Sequence, residues 1–166
     1  MFSLTALAQV QQLGDGRDGP LEVSSPNTVV TLATPLAADA AAGDPLITVV
    51  DSTGFTAGAL VLVVQTQWRS DGERYRIGEY SLHFVERVAG GRLELASPLN
   101  RPFRVGETQA VLVRQHTDVT IREGASLRAP PWNGSSGGVL ALAATGVVRN
   151  DGVVSASGLG FRGGTP

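Results

Sequence analysis

Val119-Thr120-Ile121, Ser126-Leu127-Arg128, Val139-Leu140-Ala141-Leu142-Ala143, Val147-Val148-Arg149 and Val153-Val154-Ser155-Ala156 follow one another with tight breaks between them. Such runs are too short for helices and lack a 3.6-residue period, so they read as strands. Val139, Ala141 and Ala143 face one way while Leu140 and Leu142 face the other. Val153, Ser155 and Ser157 likewise alternate with Val154 and Ala156. A β-solenoid has this logic, because each coil turns alternate residues inward and stacks small aliphatics on the coil below. Asn150-Asp151-Gly152 serves either as a hairpin turn or as a solenoid corner.

Upstream the texture changes. Strands are predicted at Thr28–Ala33, Leu46–Val50, Leu60–Thr66, Tyr80–Val88, Arg92–Leu95 and Ala110–Gln115, longer and set between distinct turns. Gly90-Gly91 predicts a hairpin, since two glycines reach positive φ at little cost. Ala37 to Ala42 favours a helix but is too short to stand alone, and Gly43-Asp44-Pro45 closes it. The chain is therefore read as all-β, with a small β-barrel or sandwich-like module inserted before the first coils of a solenoid. The expected divisions are 1–13 as a signal remnant or flexible terminus, 14–34 as a lead-in segment, 35–117 as the module, and 118–166 as the first coils.

Composition narrows the function classes. The 166 residues hold no Cys and two His, which excludes thiol chemistry, disulfide scaffolds and Cys-based metal sites. A net charge of −2 argues against generic nucleic-acid affinity. No stretch reaches the roughly 18 apolar residues of a membrane span. Ala6-Leu7-Ala8 followed by Gln9 fits a signal-peptidase site, yet Met1 to Ala8 lacks a charged start and falls short of the usual apolar core. The expectation is the tail of an incomplete signal peptide on an exported, extracellular or cell-surface protein.

Gly14-Asp15-Gly16-Arg17-Asp18-Gly19-Pro20-Leu21-Glu22-Val23 resembles the opening of many bacterial and phage surface proteins, where it precedes a right-handed parallel β-helix. Gly137-Gly138-Val139-Leu140-Ala141-Leu142-Ala143, Gly146-Val147-Val148, Gly152 to Gly158 and Leu159-Gly160-Phe161-Arg162-Gly163-Gly164 are similar to the coils of large Gly-rich exported proteins. These are notably myxobacterial, some labelled gliding-motility or adhesion proteins. Ala37–Val63 is similar to a small β-module recurring among them. The resemblance implies a right-handed parallel β-helix and a structural or adhesive role, with no catalytic motif to carry over. It also implies further coils, or another chain, against the C-terminal edge.

Candidate sites follow from residue chemistry. Trp68-Arg69-Ser70-Asp71-Gly72-Glu73-Arg74-Tyr75-Arg76 concentrates aromatics and arginines between two strands. Trp68, Arg69, Arg74, Tyr75 and Arg76 can stack on sugar rings and bond hydroxyls, or contact a protein. The plainer reading is a hairpin loop with its aromatics folded onto the module. Trp132, after Pro130-Pro131, is either a second binding aromatic or a plug at the solenoid end. Asp15 and Asp18 offer two oxygens to calcium, which needs about 6–8, and otherwise cap turns.

A carboxylate pair for glycan cleavage can be drawn from Asp15, Asp51, Asp71, Glu73, Glu79 or Asp118, but nothing selects one. Gly134-Ser135-Ser136-Gly137, in a Pro-Pro-Trp loop, reads as linker rather than as a nucleophile turn, and Gly158-x-Gly160-x-x-Gly163 lacks the following helix. His83 reads as an exposed or satisfied strand residue, and His116, ending the strand before Thr117-Asp118, as a turn residue rather than a base. The expectation is passive binding of a surface polysaccharide or protein, without catalysis and without a cofactor beyond that calcium candidate. The rivals are a polysaccharide lyase or glycosidase fragment and a phage tail-fibre or tailspike segment.

Overall fold

The computed structural model describes residues 14–67 and 77–161, and every regular element in them is a strand. In chain order these are β1 (Leu21–Val23), β2 (Leu32–Pro35), β3 (Leu46–Thr48), β4 (Leu60–Gln65), β5 (Tyr80–Ala89) and β6 (Arg92–Leu95). Next come β7 (Thr108–His116), β8 (Val119–Ile121), β9 (Ser126–Arg128), β10 (Leu142–Ala144), β11 (Val148–Asn150) and β12 (Val153–Ser155).

The longer strands pair antiparallel in the order β3-β6-β5-β4-β7, with β2 also on β7. Alternation turns Val61, Val63, Val85, Ala110 and Leu112 to one face, where Leu36, Ile47, Leu93, Leu99 and Phe103 complete an apolar core. A bulge between Val85 and Arg87 helps the sheet curl around that core. Ala89 pairs with Arg92 across Gly90 and Gly91, whose φ of +55° and +78° are those a two-residue hairpin turn demands. Ala37 to Ala42 forms no helix. Ala40 instead exchanges backbone hydrogen bonds with Phe103, and the Asp44 carboxylate accepts from Ala41 N–H.

The short strands pair parallel. β8 lies between β1 and β11, β12 lies on β9, and β10 lies on the end of β7. Leu142 faces Arg114, Val148 faces Val119 and Val153 faces Ser126, offsets of 28, 29 and 27 residues. Asn150-Asp151-Gly152 is thus a corner between strands on different neighbours, not a hairpin turn. A second core of Val23, Val119, Ile121, Ala125 and Leu127 lies inside this stack.

The two parts share β7. Its first residues run antiparallel to β2 and β4, and Arg114 to His116 carry β10 in parallel. The stretch predicted as one strand, Thr28–Ala33, is divided at this junction. Thr28 bridges Leu127 in the stack, whereas Leu32 already belongs to the antiparallel sheet. The strand predicted at Val139–Ala143 shrinks to Leu142–Ala144, because Gly137 and Gly138 take φ of +108° and +70° and Gly138 packs on the 159–161 backbone.

Candidate functional site

Trp68, Arg69, Arg74, Tyr75 and Arg76, with Asp71 and Glu73, lie outside the described residues. The roots of their loop are well defined. Gln65 N–H donates to Glu79 O at 2.9 Å and Gly78 N–H to Gln65 O at 2.8 Å, closing the β4–β5 hairpin at its base. Thr66 and Gln67 N–H both donate to Glu107 O, and the buried Gln65 amide donates to the Glu107 carboxylate at 2.9 Å. The root is therefore fixed to the start of β7.

The same root reaches Trp132's loop, because Gln67 Nε2 donates to Gly134 O at 3.2 Å. Trp132 is half-buried and meets Phe161 edge-to-face, with centroids 6.0 Å apart and planes at 71°. Behind it, the buried Gln109 amide clasps Gly137. Its Nε2 donates to Gly137 O at 2.9 Å and its Oε1 accepts from Gly137 N–H at 2.8 Å. A Cβ at Gly137 would stand 2.4 Å from Pro131 O, so only glycine permits this fold of the loop. Two segments 67 residues apart thus meet on one surface.

Asp15 and Asp18 sit in the 14–19 turn, and protein donors engage both. Asp15 accepts from Arg17 N–H and pairs with the Arg17 guanidinium at 3.3 Å. Asp18 accepts from Gln115 N–H at 2.6 Å and pairs with Arg114 at 3.3 Å. Arg17 reaches on to Ala57 O, lying where Gly58 has no Cβ. Among the described residues no three His, Asp or Glu side chains come together as a metal site.

The other carboxylates are also locally employed. Asp51 accepts from Thr53 N–H, and hydrogen bonding from the Thr53 side chain, then from its backbone, holds the Asp51 pKa below the usual carboxylate range. Asp118 Oδ1 accepts from Val147 N–H at 2.8 Å, and Glu79 pairs with Arg101 at 3.6 Å.

The histidines are both buried. His83 bridges two hydroxyls, Ser81 Oγ at 2.5 Å from Nε2 and Ser97 Oγ at 3.0 Å from Nδ1. Burial holds its pKa below the ordinary value, because a desolvated imidazolium is disfavoured. His116 is the last residue of β7, before Thr117-Asp118. Its Nδ1 donates to Gly19 O at 3.1 Å, while Nε2 is buried without a partner among the described residues.

Two open grooves accompany these features. One, of about 420 Å³, follows the stack beside Asn27, Ser126, Arg128, Asp151 and Ser155. The other, of about 530 Å³, lies beside the loop root between the start of β5 and Asn100-Arg101. Reading the sequence singled out neither. It also missed the buried amides of Gln65, Gln109 and Gln115, whose signal is only three glutamines on strands otherwise built of Val, Leu and Ala.

No protein-family model and no curated protein matches the chain. Among solved structures it is similar to three phage tailspikes. The gp49 tailspike of Pseudomonas phage LKA1 shares 13% identity over 66% of this chain and 24% of its own, with a TM-score of 0.42. The gp54 tailspike of Acinetobacter baumannii bacteriophage AP22, solved with A. baumannii capsular saccharide, shares 14% over 82% and 27%, with a TM-score of 0.45. The gp61 tailspike of Pseudomonas phage phi297 shares 12% over 83% and 23%, with a TM-score of 0.42. The chain spans about a quarter of the length of these tailspikes. None of the three is a myxobacterial gliding-motility protein. Among the described residues no helix is long and apolar enough to cross a membrane.

Proposed function

We propose that this chain is a structural and adhesive segment of an exported cell-surface or secreted protein, binding glycan or protein passively and without catalysis. In this reading residues 14–34 and 118–166 belong to a right-handed parallel β-helix, and residues 35–117 form a module inserted between them. The observation that carries it is the register of the parallel pairs. β1, β8 and β11 stack in line although the first two lie 98 residues apart, and β11 follows β8 at 29. Such a stack is hydrogen-bonded along its axis and makes a stiff rod from short strands.

Among the described residues the columns end on apolar side chains open to solvent. Val148 and Val154 stand in register with Val119 and Leu127, each 1% exposed, yet are themselves 57% and 49% exposed. A further coil, from this chain or another, would cover them and pair the edges that β11 and β12 leave open among the described residues. Immunoblots of whole cells, membranes and medium test the reading. A surface or secreted band is expected, and a purely cytoplasmic one overturns it.

A phage tail-fibre or tailspike segment is the second reading. It is favoured by Val147 and Val153, 69% and 56% exposed, which lateral packing between chains would bury. Sedimentation velocity separates the two, since that reading expects a trimer.

A further inference from the structure

The groove beside the loop root has the chemistry of a sugar subsite. Alternation along β5 sends Tyr80 outward, 61% exposed, and Ser81 inward. Ile77, 57% exposed, lies on the same rim. Across the groove stand Asn100 and Arg101, with Glu79 paired to Arg101 at 3.6 Å. An exposed phenol ring beside a planar amide, a guanidinium and a carboxylate offers an apolar face for the C–H side of a pyranose. It also offers donors and acceptors for vicinal hydroxyls.

The polar side of the groove is set from within. Asn100 Oδ1 accepts from Ser81 Oγ at 3.4 Å and from Arg101 Nε at 3.2 Å. Both bonds consume the oxygen, which leaves the Nδ2 donors for a ligand. Ser81 is in turn held by His83, and His83 by Ser97. A chain running from the exposed Ser97 hydroxyl through the buried His83 imidazole and Ser81 hydroxyl therefore fixes the orientation of one exposed amide. Such preorganisation is what a weak, exposed site needs if it is to discriminate among hydroxyl patterns. The stack-side groove lacks an aromatic, and its Arg128 is already bonded to Asn27 Oδ1 and Ser157 O.

We infer that the groove formed by Ile77, Glu79, Tyr80, Asn100 and Arg101 binds a hexose unit of a hydroxyl-rich polysaccharide, with Tyr80 as the platform and Asn100 and Arg101 as hydroxyl ligands. The inference rests on the glycan-binding reading above and places that binding on the module rather than on the stack.

The test is an array of purified bacterial capsular and O-antigen polysaccharides, probed with the full chain and with Tyr80→Ala, Asn100→Ala, Arg101→Ala and Trp132→Ala. Melting curves check that each variant folds. Tyr80 and Arg101 are surface positions, so at least one informative variant is expected to fold. The expected result is retention on one or more polysaccharides, weakened at least tenfold by Tyr80→Ala and by Asn100→Ala or Arg101→Ala, and unchanged by Trp132→Ala. Retention that survives the groove substitutions overturns this site while leaving the glycan-binding reading intact, and loss with Trp132→Ala alone moves the site to the Trp132 loop. Retention on no polysaccharide overturns both.

Discussion

The antiparallel sheet and the parallel stack solve the same problem with different materials. In the sheet, strands of up to 10 residues bury large side chains, and β4 and β7 are covered on both faces. In the stack every strand has three residues, apart from the end of β7 to which β10 pairs, and the buried core numbers five side chains. Its stability depends on how closely the stacked strands and their connecting turns approach. A Cβ at Gly152 would stand 2.5 Å from both Ala125 O and Arg122 O, and one at Gly146 2.5 Å from Asp118 Oδ1. The sheet is held by volume and the stack by contact between backbones, so they should fail under different substitutions.

Phe103→Ala carries the largest expected effect. Phe103 is 1% exposed in the sheet's core and its backbone is paired with Ala40. Truncating a buried phenyl ring costs about 3–5 kcal/mol through lost transfer energy and the cavity left behind. Urea unfolding followed by circular dichroism should show a loss of that size. A loss below about 1 kcal/mol, the scale of an ordinary surface change, would mean that the sheet is not organised around this side chain.

Gly152→Ala sharpens the comparison from the other side. Here φ is not the obstacle; the added methyl collides with the carbonyl oxygens of Arg122 and Ala125. Overpacking of this kind costs about 1–3 kcal/mol, and it should fall on the stack alone. Limited proteolysis is expected to cut the variant first between residues 122 and 160, with the β2–β7 sheet persisting as a protected fragment. Simultaneous loss of both would show that β7 couples them into one cooperative unit.

What the sequence made legible follows the same division. Strands β6 and β9 fall where residue patterning places them, and Gly90-Gly91 announces its hairpin, because those signals are local. The parallel partners are not legible, since Val23 meets Ile121 at a separation of 98 in the chain. Nor are the glutamine clasps, in which Gln109 meets Gly137 at a separation of 28 and Gln115 meets Asp15 at 100. Aromatics and arginines that cluster in sequence signal a binding loop at Trp68–Arg76. Tyr80, Asn100 and Arg101 come together only because β5 and the turn after β6 close one rim of the sheet.

The smallest expected effect belongs to His83 and concerns the sheet's polar end. Burial holds the folded pKa of this imidazole below its ordinary value of 6.5, so the unfolded chain binds the proton first as pH falls. His83 therefore costs nothing above about pH 6.5 and subtracts stability progressively as pH drops from there toward the lower folded value. Carboxylates such as Asp51 and Glu94, whose folded pKa values are also lowered, begin to subtract stability only nearer their ordinary values of 3.8 and 4.5, which separates the two windows. Melting temperatures should be level above pH 6.5 and decline between pH 6.5 and 5. His83→Gln should flatten that decline, because an amide can bond Ser81 and Ser97 without titrating. An undiminished slope in the variant would assign the decline to another group and show that the imidazole keeps its proton equilibrium despite being only 5% exposed.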